Sequence, residues 1–107
     1  MKFVKRSNEG YREPVPMIMM RPLAHGERMN MVENRLSGGA IHKLHSHPYE
    51  QCGYLISGKT RLTIEDEQFD VGPGDSWNVP ADLMHQMEVF EDSVIVELFS
   101  PIREEYL

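Results

Sequence analysis

Turn-forming residues punctuate this chain roughly every 8–12 residues, a cadence that confines it to a sandwich or barrel of short strands. The apolar run MIMM (17–20) reads as a strand, and MNMVENRL (29–36) runs into the turn SGGA. QCGYLIS (51–57) leads to Gly58-Lys59, which reads as a hairpin turn, and TRLTIED (60–66) sets Leu62 and Ile64 on one face. Further turns fall at EDE (65–67) and VGPGD (71–75), before SWNVP, HQMEVF and SVIVELF. No window sustains apolar spacing at the helical period. The expectation is an all-β fold in one domain spanning 1–107, since 107 residues with 40% hydrophobic content bury one modest core. Residues 1–16, polar and carrying Pro14 and Pro16, read as an arm or an edge strand.

Charge and cysteine content remove several function classes. The net charge is −6, from 11 Lys and Arg against 17 Asp and Glu. An acidic chain does not displace counterions from phosphates, so nucleic acid is not an expected partner, and neither is an anionic membrane. An anionic substrate would need a local cation. The single Cys52 excludes an internal disulfide and reads as a small buried thiol. Lys2, Lys5 and Arg6 are followed by no signal-peptide core, and no stretch is long enough to span a bilayer. A soluble cytoplasmic protein is expected. The apolar MIMM run and the problem of open sheet edges point to a homodimer.

Strand alternation then sorts the polar side chains. His45 and His47 share a face, and imidazole is the commonest side-chain metal ligand near neutral pH. His85 lies with Met87 and Val89, opposite Gln86, Glu88 and Phe90, which turns it inward. The competing readings are polar turn residues for the pair and a hydrogen-bonded core histidine for His85. His42 is out of phase with His45 and reads as a surface residue or one supporting the ligands from behind. In the last run Ile95, Glu97 and Phe99 oppose a clean apolar row of Val94, Val96 and Leu98. Glu97 therefore sits either on an open surface or against a cavity that uses a carboxylate.

The spacings around these histidines are specific. Gly39 is followed by five residues, His45-Ser46-His47, three residues, Gln51, six residues and Gly58. Gly74 is followed by five residues, Pro80-Ala81-Asp82, two residues and His85. Over 39–89 this resembles the two motifs of the cupin superfamily, G-x5-H-x-H-x3,4-E-x6-G and G-x5-P-x-G-x2-H-x3-N. Asp82 replaces a Gly and Val89 an Asn, positions that concern turn shape and packing. Gln51 replaces the usual Glu. Glu50 stands next to it and would serve if the strand slipped by one. The count to Gly58 favours Gln51, since a slip sends the side chain to the opposite face. The resemblance implies a double-stranded β-helix, a jelly-roll barrel of two antiparallel sheets. It also implies one divalent transition metal on His45, His47, Gln51 and His85. Zn, Ni, Mn, Co or Fe suit such ligands, whereas Ca and Mg do not. An all-neutral ligand set leaves the metal its full charge and favours an anionic, oxygen-chelating substrate.

The ending ELFSPIREEYL (97–107) is similar to the pattern D-x-F-S-P-x-R in small cupins of pectin degradation, which linearise unsaturated uronates. Glu97, Phe99 and Arg103 fall on its acid, Phe and Arg, with Glu in place of Asp. The likeness implies conversion of 4,5-unsaturated uronates to 5-keto-4-deoxyuronates. Glu97 would move the proton, Arg103 would grip the substrate carboxylate through paired hydrogen bonds, and Phe99 would line the pocket. Against this, Arg103 reads equally as part of a solvated tail paired with Glu104 or Glu105, and Phe99 as core. Two other functions fit the same motifs: a cupin that binds a small oxygen-rich acid without turnover, and a cupin dioxygenase.

Overall fold

Residues 2–107 are described in a computed structural model. Eight strands form: β1 (Arg12–Val15), β2 (Ile18–His25), β3 (Asn30–Leu36), β4 (Ile41–His45), β5 (Glu50–Ile64), β6 (Glu67–Val71), β7 (Ser76–Val79) and β8 (His85–Ser100). Among the described residues the one helical element is a 3-10 turn at Glu104–Tyr106, and no helix is long and apolar enough to cross a membrane.

Two long bent strands carry the architecture. β5 and β8 pair antiparallel along their whole lengths, from Glu50↔Ser100 to Ile64↔His85. The C-terminal half of β8 also pairs β3, which continues to β2 and β1, and the N-terminal half of β5 pairs β7. The other halves pair β4 and β6. Two antiparallel sheets result, sharing β5 and β8, as expected of a jelly-roll barrel.

The shared strands correct two expectations. Gly58-Lys59 is not a hairpin turn, and HQMEVF and SVIVELF are not separate strands but parts of β8. Gly58 has φ +103°, and the register shifts between Leu55 and Thr60, so the strand bends there without reversing. A glycine with positive φ marks a turn or a bulge equally well in sequence. The bend is pinned by Ser93, whose Oγ accepts from Lys59 N at 3.1 Å and donates to the Glu91 carbonyl at 2.7 Å.

The core fills the space between the sheets. Ile18, Leu36, Leu55, Leu62, Val89 and Ile95 belong to one buried cluster, while Met20, Val32 and Phe99 form a second. Thus Ile18 and Met20 of the MIMM run are interior, whereas Met19 is exposed and Met17 sits exposed at φ 70° before β2 begins. Cys52 is exposed, not buried, because Gln51, Gly53 and Leu55 take the inward phase of β5. On β8 the inward phase belongs to Ser93, Ile95 and Phe99. The Val94, Val96 and Leu98 row lies half-buried on the outer face, and Glu97 turns toward the cavity.

Candidate metal centre

Strand pairing gathers the histidines at one end of the barrel. β4 ends at His45 and β8 begins at His85, and these two are register partners. His47 lies beyond β4, in the loop that runs through Pro48 to β5. Its carbonyl accepts from Asp82 N at 2.8 Å, which ties the two motif loops together. Asp82 has φ 68°, a conformation Asp tolerates better than most residues, so it fills the glycine position of the motif. The loop, and not simple alternation along one strand, brings His47 beside His45.

One ring nitrogen from each of His45, His47 and His85 lies within 4.8 Å of the others. The opposite ring nitrogens are already committed. Nδ1 of His45 is 2.7 Å from the Lys43 carbonyl, Nδ1 of His47 is 2.9 Å from the Tyr49 carbonyl, and Nδ1 of His85 is 2.9 Å from the Leu83 carbonyl. A carbonyl only accepts, so each Nδ1 carries a proton, and in the neutral form that a metal needs the Nε2 lone pair is the one turned inward. Nε2 of His85 is buried without a hydrogen-bond partner. Desolvation lowers the pKa of His45 and takes that of His85 down to about 4, which favours the neutral rings a metal needs. Three converging lone pairs with backbone-fixed rings fit a transition metal.

Gln51 joins this group, whereas Glu50 points away. Glu50 is exposed and accepts from Asn78 at 3.1 Å, while Gln51 is buried with Oε1 2.9 Å from His47 Nε2. The other end of the Gln51 amide donates to Glu97, which also accepts from Asn34 Nδ2. Desolvation pushes the Glu97 carboxyl up to about 7, against the opposing pull of Arg103 and of the two amide hydrogen bonds. Arg103 pairs with Glu105, as the tail reading had it, but it also lines the cavity instead of lying in solvent. Its Nε donates to Glu105 at 2.8 Å, yet its side chain is only 12% exposed, and the guanidinium lies 4.0 Å from the Tyr106 ring centroid and 5.1 Å from that of Phe99. Phe99 is likewise core and cavity wall, 1% exposed and edge-on to His47 at 6.0 Å.

His42 departs from expectation. A register shift between His42 and His45 breaks the strand parity, so His42 also lines the cavity and stacks on His45 at 4.3 Å. Desolvation lowers its pKa to about 4. Sequence reasoning passed over Asn30 and Asn34. They alternate with Val32 and Leu36 on the inward phase of β3, and two amides on an apolar strand face were the available signal. Asn30 Oδ1 accepts from Arg103 N at 2.8 Å and so fixes where the tail leaves the barrel.

Comparison with known proteins agrees with this geometry. The chain is 28% identical over 92 residues to the pectin degradation protein KdgF of Dickeya dadantii, covering 84% of each. It is 38% identical over 80 residues to the oxalate decarboxylase OxdC of Bacillus subtilis, 70% of this chain but only 21% of that longer protein. The solved structure of KdgF from Halomonas sp. superposes with a TM-score of 0.92 at 28% identity, over 100% of this chain and 99% of that one. Residues 32–100, which hold all three histidines, Gln51 and Glu97, match the cupin domain family, and the chain belongs to it.

Proposed function

We propose that this protein is a cytoplasmic, metal-dependent cupin that linearises 4,5-unsaturated uronates to 5-keto-4-deoxyuronates. One observation carries the reading: a carboxyl with its pKa near 7 and a guanidinium, Glu97 and Arg103, flank a cluster of neutral ligand atoms. The likeness to KdgF along most of both chains supports the same substrate class. His45, His47, Gln51 and His85 would hold the metal. When bound, it supplies positive charge against the oxygen and carboxylate of the substrate, where negative charge develops.

The reaction is an isomerisation, so the protein need only move a proton. The C1–O5 bond of the cyclic hemiacetal breaks and C1 becomes an aldehyde. The C1 hydroxyl proton is lost, the former ring oxygen becomes the C5 ketone oxygen, and C4 gains a proton. Glu97 takes the first proton and returns it at C4, a task suited to a carboxyl poised near neutral pH. Arg103 grips the C6 carboxylate and supplies the local cation that a chain of net charge −6 otherwise lacks. Phe99 and Tyr106 pack against that guanidinium and limit its rotation. The match to an oxalate decarboxylase supports a small oxygen-rich acid as the ligand, and a second reading is a site that holds such an acid without turning it over.

The test follows the ultraviolet absorbance of the conjugated double bond in unsaturated galacturonate and guluronate. It should fall faster with protein than in the uncatalysed reaction. Background rates on both sugars from metal-loaded protein would defeat the reading. We further propose a homodimer, in which a second copy covers the outer face where exposed Tyr54 pairs with Val96, beside Leu98. Light scattering at monomer mass would refute it.

A further inference from the structure

Two hydrogen bonds of the site run through one carboxylate. Asn34 Nδ2 donates to Glu97 Oε1, and Gln51 Nε2 donates to Glu97 Oε2. Asn34 on β3 pairs with Ile95, and Gln51 on β5 pairs with Phe99, so each is a diagonal neighbour of Glu97 from opposite sides of β8. Both amides turn their NH2 groups to the carboxyl oxygens, which accept from them. The free end of each amide is thereby fixed. For Gln51 that end is Oε1, 2.9 Å from His47 Nε2.

His47 Nδ1 faces the Tyr49 carbonyl, so Nε2 is the nitrogen left for a metal, and a ring ready to bind one presents its lone pair there. Two acceptors thus face each other, an arrangement that a cation between them relieves. Left to itself, the Gln51 amide would turn over and donate its NH2 to that lone pair. Metal binding would then first have to break a satisfied hydrogen bond. The acceptor at position 97 prevents this.

We infer that Glu97, held from behind by Asn34, is a positioning residue that locks the Gln51 amide with its oxygen toward the imidazoles. The inference rests on the reading of His45, His47, Gln51 and His85 as a metal centre. It also accounts for Gln51 where the resembled motif carries Glu. A carboxylate there would meet Glu97 at hydrogen-bond distance within the barrel, where two like charges cannot both be held. Glutamine at 51 and an acid at 97 therefore belong together.

Zinc affinity, measured by competition with a chromophoric chelator, tests the inference without reference to turnover. Glu97→Leu removes both the acceptor and the charge, and should weaken zinc binding by about 10–100-fold. Glu97→Gln keeps an acceptor oxygen without the charge and should fall between Glu97→Leu and wild type. Asn34→Leu keeps the carboxyl but removes its support from behind, and should lose affinity several-fold. Circular dichroism and melting curves establish that each variant is folded. Glu97→Leu within about threefold of wild type would overturn the inference. So would Glu97→Gln as weak as Glu97→Leu, since charge alone would then explain the loss. Asn34→Leu at wild-type affinity would remove Asn34 from it. A wild-type chain that takes up no zinc would instead defeat the metal reading on which the inference stands.

Discussion

Gly58→Ala should be among the most destabilising single-atom additions to this chain. Gly58 sits at φ +103°, where an L side chain costs about 1–2 kcal/mol. A Cβ there would stand 2.1 Å from Ser93 Oγ, 2.6 Å from Ser93 Cα and 2.6 Å from the Asp92 carbonyl oxygen. The serine hydroxyl can rotate away, but the backbone atoms belong to the partner strand and can move only by opening the bend of β5 against β8. Overpacking of that kind costs about 1–3 kcal/mol, so the sum is roughly 2–5 kcal/mol. Against a total stability of about 5–15 kcal/mol, that is a large fraction. Gly74→Ala provides the control. Gly74 has φ +90° but meets nothing within 4 Å, so it should show the backbone cost alone. Urea unfolding followed by the fluorescence of Trp77, the one tryptophan, measures both. The argument fails if Gly58→Ala costs less than about 1 kcal/mol, or no more than Gly74→Ala.

Elemental analysis of protein purified without a metal-affinity tag should find about one transition metal per chain. His47→Ala and His85→Ala should each lose it, and Gln51→Ala should weaken binding more than Glu50→Ala. The reverse order at 50 and 51 would show that the wrong neighbour was chosen. Arg103→Lys keeps the charge but loses the planar fork, and should raise KM for the uronate well before it lowers metal content. An unchanged KM would place Arg103 in the tail only. The metal-free protein should lose stability as pH falls from about 6.5 toward 4, since unfolded His42 and His85 take up protons there while the folded rings, held near 4, do not. Glu97 acts in the opposite sense. Raised from 4.5 to about 7, it favours the fold most below pH 4.5, and that contribution is gone above about 7, so it only partly offsets the two histidines. Urea midpoints at pH 7 and pH 5 decide the matter, and equal midpoints would refute the assignment.

The sheets were legible because their causes are local. Alternation and turn chemistry located most strand runs, and the inward phase of Ile95 and Phe99 follows from parity once one face is known to be core. What parity could not deliver was continuity. The pair Glu91 and Asp92 looks like a loop between two strands, yet it is the exposed outside of a bend within β8. Its strand character depends on the β5 residues opposite it and on Ser93 pinning the bend, contacts between positions far apart in sequence. Cys52 failed for a related reason. Its neighbours suit a strand, but only the phase fixed by Gln51 and Leu55 sends the thiol outward.

The site divides along the same line. The three histidines and the Gln51 position were readable because chelation imposes spacing, and spacing is what a sequence displays. His42 was misplaced because one register shift in β4 reverses the parity that excluded it. Glu97 was readable as a carboxylate either on an open surface or against a cavity that uses it, and its role as a base came only from the resemblance. The structure gives it two amide donors, and these do not conflict with a base near neutral pH. Desolvation stabilises the protonated form, while the Arg103 charge and then the hydrogen bonds from Asn34 and Gln51 stabilise the ionised one. The carboxyl is held near the midpoint by this opposition, so removing either donor should shift it upward and weaken it as an ionised acceptor. In the proposed reaction, proton transfer by Glu97 and orientation of the Gln51 amide would therefore depend on the same two amide contacts. A substitution at Asn34, which reaches the proposed metal ligand only through Glu97, should disturb both together.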